Sequence, residues 1–353
     1  MLVHYTSFSL ILSRWVMNII ISYPSAAEFW MSSRNAALAS SLYEHNRSGS
    51  FCPDARQYYI ADDAAQWLID KYSLSVPLHM LVPSAHCRKR SKVFVCKVVG
   101  QKLPETALLK LESISKNQSV AINQKEIMHT VFIASPELCF LQAAKSMEFL
   151  QLIKFGFDLC SIYVDNSQDE YSHTSRTAIT DQSRIEKFIE TVSNVKGSKL
   201  ARKAVPYVLD RSNSPMETKI AMMTILPIGY GGFGIKRPKL NLSVMLSEQG
   251  QKILGRSSCI CDMGWVEEKV IVEYDSNLSH LDPQQHARDK ARISALSVSG
   301  YTVICITAES IRIANLDATF FAIRKALKMH SRRAELEAAK ELRMKTWSII
   351  MGL

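Results

Sequence analysis

Ser258-Cys-Ile-Cys-Asp262, followed by Lys269-Val-Ile-Val-Glu-Tyr-Asp275, reads as two adjacent hydrophobic strands that carry three carboxylates. Strand alternation puts Ile271, Glu273 and Asp275 on one face of the second run and Val270, Val272 and Tyr274 on the other. Both acids of that strand therefore point the same way. Acids crowded on one face of a buried strand repel one another. A divalent cation removes the conflict, because Mg2+ is a hard ion that prefers carboxylate oxygens and keeps several waters.

The flanking pattern builds a sheet around these strands. Ser214-Pro-Met-Glu217 supplies an N-cap serine, a proline at the first helical position and a glutamate three residues after the cap. The helix it starts is expected to stop before Pro227 and Gly229, with Gly231-Gly-Phe-Gly234 turning into an extended segment at 240–244. Asp282-Pro283, with Gln285 at the capping-box position, opens a second helix that ends at the cap Gly300. A β-branched strand at 301–307 and one long helix at 319–347 follow. The order predicts a three-stranded antiparallel meander with a helical crossover to a further strand, giving a mixed sheet flanked by helices.

Upstream, residues 25–42 and 62–72 read as helices, and 76–82 and 93–99 as strands or a hairpin around a basic connection. Ser135-Pro-Glu137 opens a helix to 147, helical character continues over 149–158, and 163–182 reads as a polar loop. The expected organisation is an N-terminal extension at 1–24, a smaller α/β accessory domain at 25–158, a linker and helical connection at 159–211, the acid-bearing domain at 212–318, and a basic C-terminal helix at 319–353. The apolar run 8–23 with Ser25-Ala-Ala loosely imitates a leader, but Arg14 interrupts it. No stretch reaches the roughly 18 to 20 apolar residues of a membrane span. Initiation at Met17 is the alternative reading.

With 353 residues, 47% of them hydrophobic and 22% charged, the composition is that of a globular chain of two or three domains, not of a disordered or fibrous one. Eight scattered cysteines without a CxxC pair fit a reduced, cytoplasmic compartment. The net charge of +10 points to an anionic partner. Arg88, Lys89, Arg90 and Lys92 form one basic cluster, and Lys199, Arg202 and Lys203 another, as candidate contacts to nucleic-acid phosphates. A solvated surface is the ordinary reading of either.

The order of acids resembles the PD-(D/E)xK, restriction-endonuclease-like nuclease superfamily, in its very-short-patch-repair-like branch. The matching pieces are Glu217 on a helix, Asp262, Val272-Glu-Tyr-Asp275, His280, Asp289-Lys-Ala-Arg292 and Gly300-Tyr-Thr-Val303, over about 212–307. The resemblance implies a Mg2+- or Mn2+-dependent DNA endonuclease, with Asp262 and Glu273 as principal metal ligands and Glu217 beside them. Asp275 stands where the superfamily commonly has lysine, and Ser276 replaces the glycine usual after it. The base is thus left open between His280 and Lys290.

More faintly, residues 25–158 are similar to antitoxin-type regulators of abortive-infection, type IV toxin-antitoxin systems. That keeps open the alternative of a catalytically inactive nuclease fold acting as a DNA-binding or regulatory protein, with a protein partner or a second copy. No membrane partner is expected.

Each residue also has an ordinary reading. Glu217 completes a capping box on Ser214, Asp262 starts a turn with Gly264, and Asp289 pairs with Arg292 across one helical turn. Cys259, Cys261, His280 and His286 fit no standard zinc spacing. Gly229-x-Gly-Gly-x-Gly234 lacks the strand before and helix after it of a dinucleotide site.

Overall fold

The computed structural model describes residues 15–45, 61–99, 103–114, 127–165, 173–192, 195–275, 283–330 and 332–352. The fold is mixed α/β, with mixed sheets and helices packed on them. The chain divides into two compact units, Met1–Trp30 with Ser41–Gln142, and Met31–Ser40 with Ala143–Leu353. Among the described residues no helix is long and apolar enough to cross a membrane.

Up to residue 143 the elements are β1 (Trp15–Ile21), α1 (Ser25–Met31), α2 (Ala36–His45), α3 (Asp62–Tyr72), β2 (Leu78–Val82), β3 (Phe94–Val98), β4 (Leu108–Ile114), β5 (Ile127–Ala134) and α4 (Pro136–Ala143). The strands form one sheet in the order β3-β2-β1-β5-β4. The apolar run that imitates a leader therefore supplies a central strand, with Ile19, Ile20 and Ile21 all buried. A strand covered on both faces reads as a continuous apolar run, without alternation. β2 and β3 are the expected strands, and because they pair in parallel, with Leu78 opposite Phe94, the hairpin alternative falls away. The helix expected over 25–42 breaks at a 3-10 turn, Ser33–Asn35. Serine and asparagine there compete for backbone hydrogen bonds.

Beyond residue 143 come α5 (Phe149–Cys160), the short pair β6 (Tyr163–Asp165) and β7 (His173–Ser175), α6 (Gln182–Thr191), α7 (Ser198–Ala204) and α8 (Pro215–Ile225). The stretch read as a loop thus contains a small antiparallel pair, Tyr163 opposite Ser175. Then follow β8 (Lys239–Met245), α9 (Glu248–Leu254), β9 (Ser258–Trp265), β10 (Val270–Asp275), α10 (Pro283–Val298), β11 (Thr302–Thr307), α11 (Ile313–Ala326), α12 (Arg333–Ala338) and α13 (Lys340–Met351).

The order β11-β10-β9-β8 is the expected meander, with β11 joined through α10 and parallel to β10. Val244, Cys259, Cys261 and Ile271 pack with Ala295 and Leu296, which seats α10 on the sheet. The single long C-terminal helix is instead three helices. The first ends near Lys328, whose φ of 51° leaves the helical region. Chain reversal lets Arg343 reach Asp317 at 2.7 Å, and Arg324 donates to the Phe233 and His330 carbonyls. Arg324, within the stretch expected as a basic C-terminal helix, is therefore buried structure and not part of a charged surface.

The glycine-rich segment after α8 is a turn clasped onto the helix end. Phe233 N donates to Met223 O, and Gly234 N to Leu226 O. A Cβ on Gly232 would overlap the Leu226 carbonyl. Gly232→Ala is therefore expected to cost about 1–3 kcal/mol, as overpacking does. Urea titration reads this as a lower midpoint at unchanged slope. An unaltered midpoint would contradict the close approach.

Candidate functional site

α8 is fixed at its start by local chemistry. Ser214 Oγ accepts the Glu217 amide at 3.2 Å, and Pro215 occupies the first helical position. Thr218 donates to Ser212 Oγ at 2.8 Å and lies 3.0 Å from Tyr163 Oη. Glu217 Oε2 accepts the amide of Asn213 at 3.0 Å, one residue earlier than the Ser214 amide of a capping box. Its carboxyl is pushed up to about 7, first by burial and then by the charge of Asp262. The helix thus carries Glu217 up to the strand aspartate.

Asp262 is not at a strand end and does not start a turn. It lies within β9, Gly264 is also in the strand, and the turn follows at 266–269 with Lys269 at φ 53°. The β9–β10 ladder pairs Val270 with Trp265, Ile271 with Gly264 and Val272 with Met263. At the next step the Asp262 side chain takes over, Oδ2 accepting the Tyr274 amide at 2.8 Å. On the other side Asn241 adopts φ 46°, in the left-handed region, where the paired residues pass from Leu240–Met263 to Leu242–Cys261. The sheet is irregular at its acid.

Glu273 is 8% exposed on β10. Its Oε2 accepts from Arg292 Nη2 at 2.7 Å, and its Oε1 is buried without a hydrogen-bond partner. Burial, then the charge of Asp262, pushes the carboxyl up to about 8, against the pull of Arg292. Asp262 is raised by burial, against the Tyr274 amide, Arg292 and the Glu273 carboxyl it meets. Arg292 therefore pairs with Glu273 and not with Asp289. It also donates through Nε to Cys259 Sγ at 3.2 Å and through Nη2 to the Ile260 carbonyl. Burial alone would loosen its proton, but Glu273, Cys259 and Asp262 hold it more tightly than usual.

The two cysteines of β9 serve packing. Cys259 and Cys261 lie in the core under α10, with the Cys259 thiol drawn down to about 6 by Cys261 and then by Arg292. Among the described residues no group of three or more His, Cys, Asp and Glu side chains is arranged to hold a metal ion. What the fold brings together is the pair Asp262 and Glu273, with Asp262 acting on Glu217 and Arg292 on all three acids. Two facing carboxyls with one orphaned buried oxygen suit a hard divalent cation that takes its other ligands from water.

Asp275 ends β10 exposed, and Lys290 is exposed on α10. His280 lies outside the described residues. Arg88, Lys89, Arg90 and Lys92 are exposed on the connection between β2 and β3. In the second cluster only Lys199 has no structural task. Arg202 reaches the carbonyls of Ile189 and Val192 at the end of α6, and Lys203 lies 5.0 Å from the rings of both Phe149 and Tyr230. The sequence reading missed Arg292 as the partner of Glu273. Its signal was the Asp-x-x-Arg spacing, which places an arginine one turn before the core contact Ala295.

No family model matches the chain, and no solved structure matches it. Two uncharacterized proteins of Mycobacterium tuberculosis, Rv2248 of strain H37Rv and MT2308 of strain CDC 1551, are each 25% identical to it over 131 residues. The match covers 37% of this chain and 44% of each relative, so it spans less than half of the relatives' length.

The raised carboxyls set a pH dependence. A carboxyl that holds its proton more tightly when folded stabilises the fold below its ordinary value near 4.5 and loses that contribution as pH rises through its folded value. In chelator, the urea midpoint should fall between about pH 5 and pH 8, and Glu273→Gln should flatten the fall. A midpoint that rises across this window would show that these acids are not buried together.

Proposed function

We propose that the chain is a Mg2+- or Mn2+-dependent DNA endonuclease-like protein that hydrolyses phosphodiester bonds. The observation that carries this reading is the meeting of Asp262 and Glu273 on neighbouring strands, with Glu217 on α8 beside Asp262 and Glu273 Oε1 unpartnered. It is supported by the resemblance to PD-(D/E)xK nucleases and by the net charge of +10. The free cysteines among the described residues fit a cytoplasmic setting.

Asp262 and Glu273 would hold the metal, with Glu217 near Asp262. When bound, Mg2+ supplies a water of lowered pKa and stabilises charge on the phosphoryl oxygens. The chain's own residues orient this donor set. The Tyr274 amide fixes Oδ2 of Asp262, whose side chain meets the Glu273 carboxyl. Arg292 fixes Oε2 of Glu273, leaving Oε1 as the donor. Neither carboxylate has to be reoriented, which is how a site lowers its reorganisation cost.

The rival is a nuclease fold kept as a DNA-binding or antitoxin-like scaffold. One observation favours it: Arg292 already neutralises Glu273, so the acid does not depend on a cation for its charge partner. The readings part on hydrolysis. With duplex DNA and Mg2+ or Mn2+, Asp262→Asn and Glu273→Gln should each lower the cleavage rate at least about a hundredfold, since both are placed as direct ligands. Undiminished cleavage by both variants sinks the metal-site assignment, and salt-sensitive DNA binding without cleavage by the native chain selects the scaffold.

A further inference from the structure

Beside the acids, and sharing Arg292, Cys259, Ile260 and Asp289 with the groups already described, lies a cavity of about 550 Å3. Its polar lining is Arg256, Arg288, Arg292, Asp289 and Ser258, so three guanidiniums face one carboxylate. Neither Arg256 nor Arg288 has an ion-pair partner among the described residues. Arg292 commits Nε and Nη2 to Cys259, Ile260 and Glu273, which leaves Nη1 for a ligand. The three come from different places, the α9–β9 turn and two successive turns of α10, and the charge of Arg256 is felt at Cys259. Like charges gathered in a concavity raise one another's energy until an anion enters, and the planar, multi-donor guanidinium suits phosphate.

We propose that this cavity binds a backbone phosphate of duplex DNA, next to the acidic pair. Its size exceeds what one phosphate needs and falls within the range of ligand sites, so the occupant carries more than an anion. Ile260, 58% exposed, and Leu254 add an apolar wall against which a deoxyribose can lie. The proposal rests on the nuclease reading only for the direction in which the strand continues, toward Asp262 and Glu273. Arg256 and Arg288 then hold the strand while Arg292 joins the cavity to the acids.

The test is fluorescence anisotropy of a labelled DNA duplex with the full chain in EDTA, across a range of KCl concentrations. For B-DNA each phosphate contact contributes about 0.9 to the slope of log affinity against log salt. The double variant Arg256→Gln with Arg288→Gln is expected to lower that slope by about one unit and affinity by about tenfold or more. Arg256→Lys with Arg288→Lys should keep the slope while losing part of the affinity. Because both side chains are exposed, circular dichroism should show the fold unchanged. An unchanged slope in the glutamine variant overturns the proposal, and so does an absence of salt-dependent binding by the native chain. Competition with inorganic phosphate and with dCMP tests the source of the anion. Displacement of the duplex by either at millimolar concentration overturns the DNA assignment in favour of a free anion or nucleotide. Cleavage assayed separately with Mg2+ keeps the two ideas apart. A lost slope with no cleavage by the native chain retains the cavity and removes the nuclease, whereas intact cleavage with an unaltered slope does the reverse.

Discussion

The C-terminal sheet hangs on one guanidinium. Arg292 touches β9 through the Cys259 sulfur and the Ile260 carbonyl, and β10 through Glu273, so it ties α10 to two strands at once. Glu273 is nearly buried and carries an orphaned oxygen, and removing one partner from such a pair typically costs about 3–5 kcal/mol. The value here belongs toward the low end, because a third of the Arg292 side chain remains in solvent. The placement follows from helix geometry. Ala295 and Leu296 fix the buried face of α10 on Cys259, Cys261 and Ile271, and a residue three before Ala295 lies on that same face. The packing that seats the helix therefore aims the arginine at the acids.

The same sheet accepts a second departure at Asp262. An aspartate inside a strand would ordinarily leave its neighbours' ladder bonds intact and its side chain in solvent. Here Oδ2 takes the Tyr274 amide, and Asn241 on β8 turns to φ 46° alongside. A non-glycine residue in that region is uncommon, and asparagine tolerates it better than most. The ladder is thus opened on both sides of one carboxylate. Glu217 then approaches from α8, whose own start is secured by Ser214, Ser212 and Thr218. Local capping chemistry and long-range packing meet at one place.

Much of this part of the fold was legible in the sequence because its signals are local. The N-cap serine and proline of α8, the alternation of β10, and the helix and glycine before β11 each speak for themselves, and together they fix the meander and its crossover. What was not legible depends on partners far along the chain. The apolar residues of β1 have no period because both faces are covered, so they imitate a leader. The segments of β2 and β3 stay open between separate strands and a hairpin because strand direction is not written in either strand. The C-terminal helices look continuous because nothing near Lys328 announces that Arg343 will fold back onto Asp317. At the site the acids could be read and their cation could not. Two of its carboxylates stand out in apolar strands and the third follows an N-cap serine, whereas Arg292 and Arg256 are ordinary basic residues until the fold gathers them.

Two buried ion pairs in the same unit show why the acid site differs from structural electrostatics. Arg343 is 1% exposed, donates to Asp317 and to the Leu336 carbonyl, and stacks 4.8 Å from the Phe233 ring. One cation there meets one carboxylate, a carbonyl and an aromatic face, and the group joins α11, α12 and α13. At β10 one cation faces three carboxylates, two of them held up to about 7 and 8 by burial and by the charge of Asp262. A pair kept for packing alone has no need of that excess, since an apolar replacement of similar volume would serve as well. The excess also stands beside a cavity of opposite sign, where Arg256 and Arg288 wait without partners among the described residues. An excess of carboxyls beside an excess of guanidiniums, joined through one shared arginine, is the arrangement that the proposed cation and phosphate would complete together.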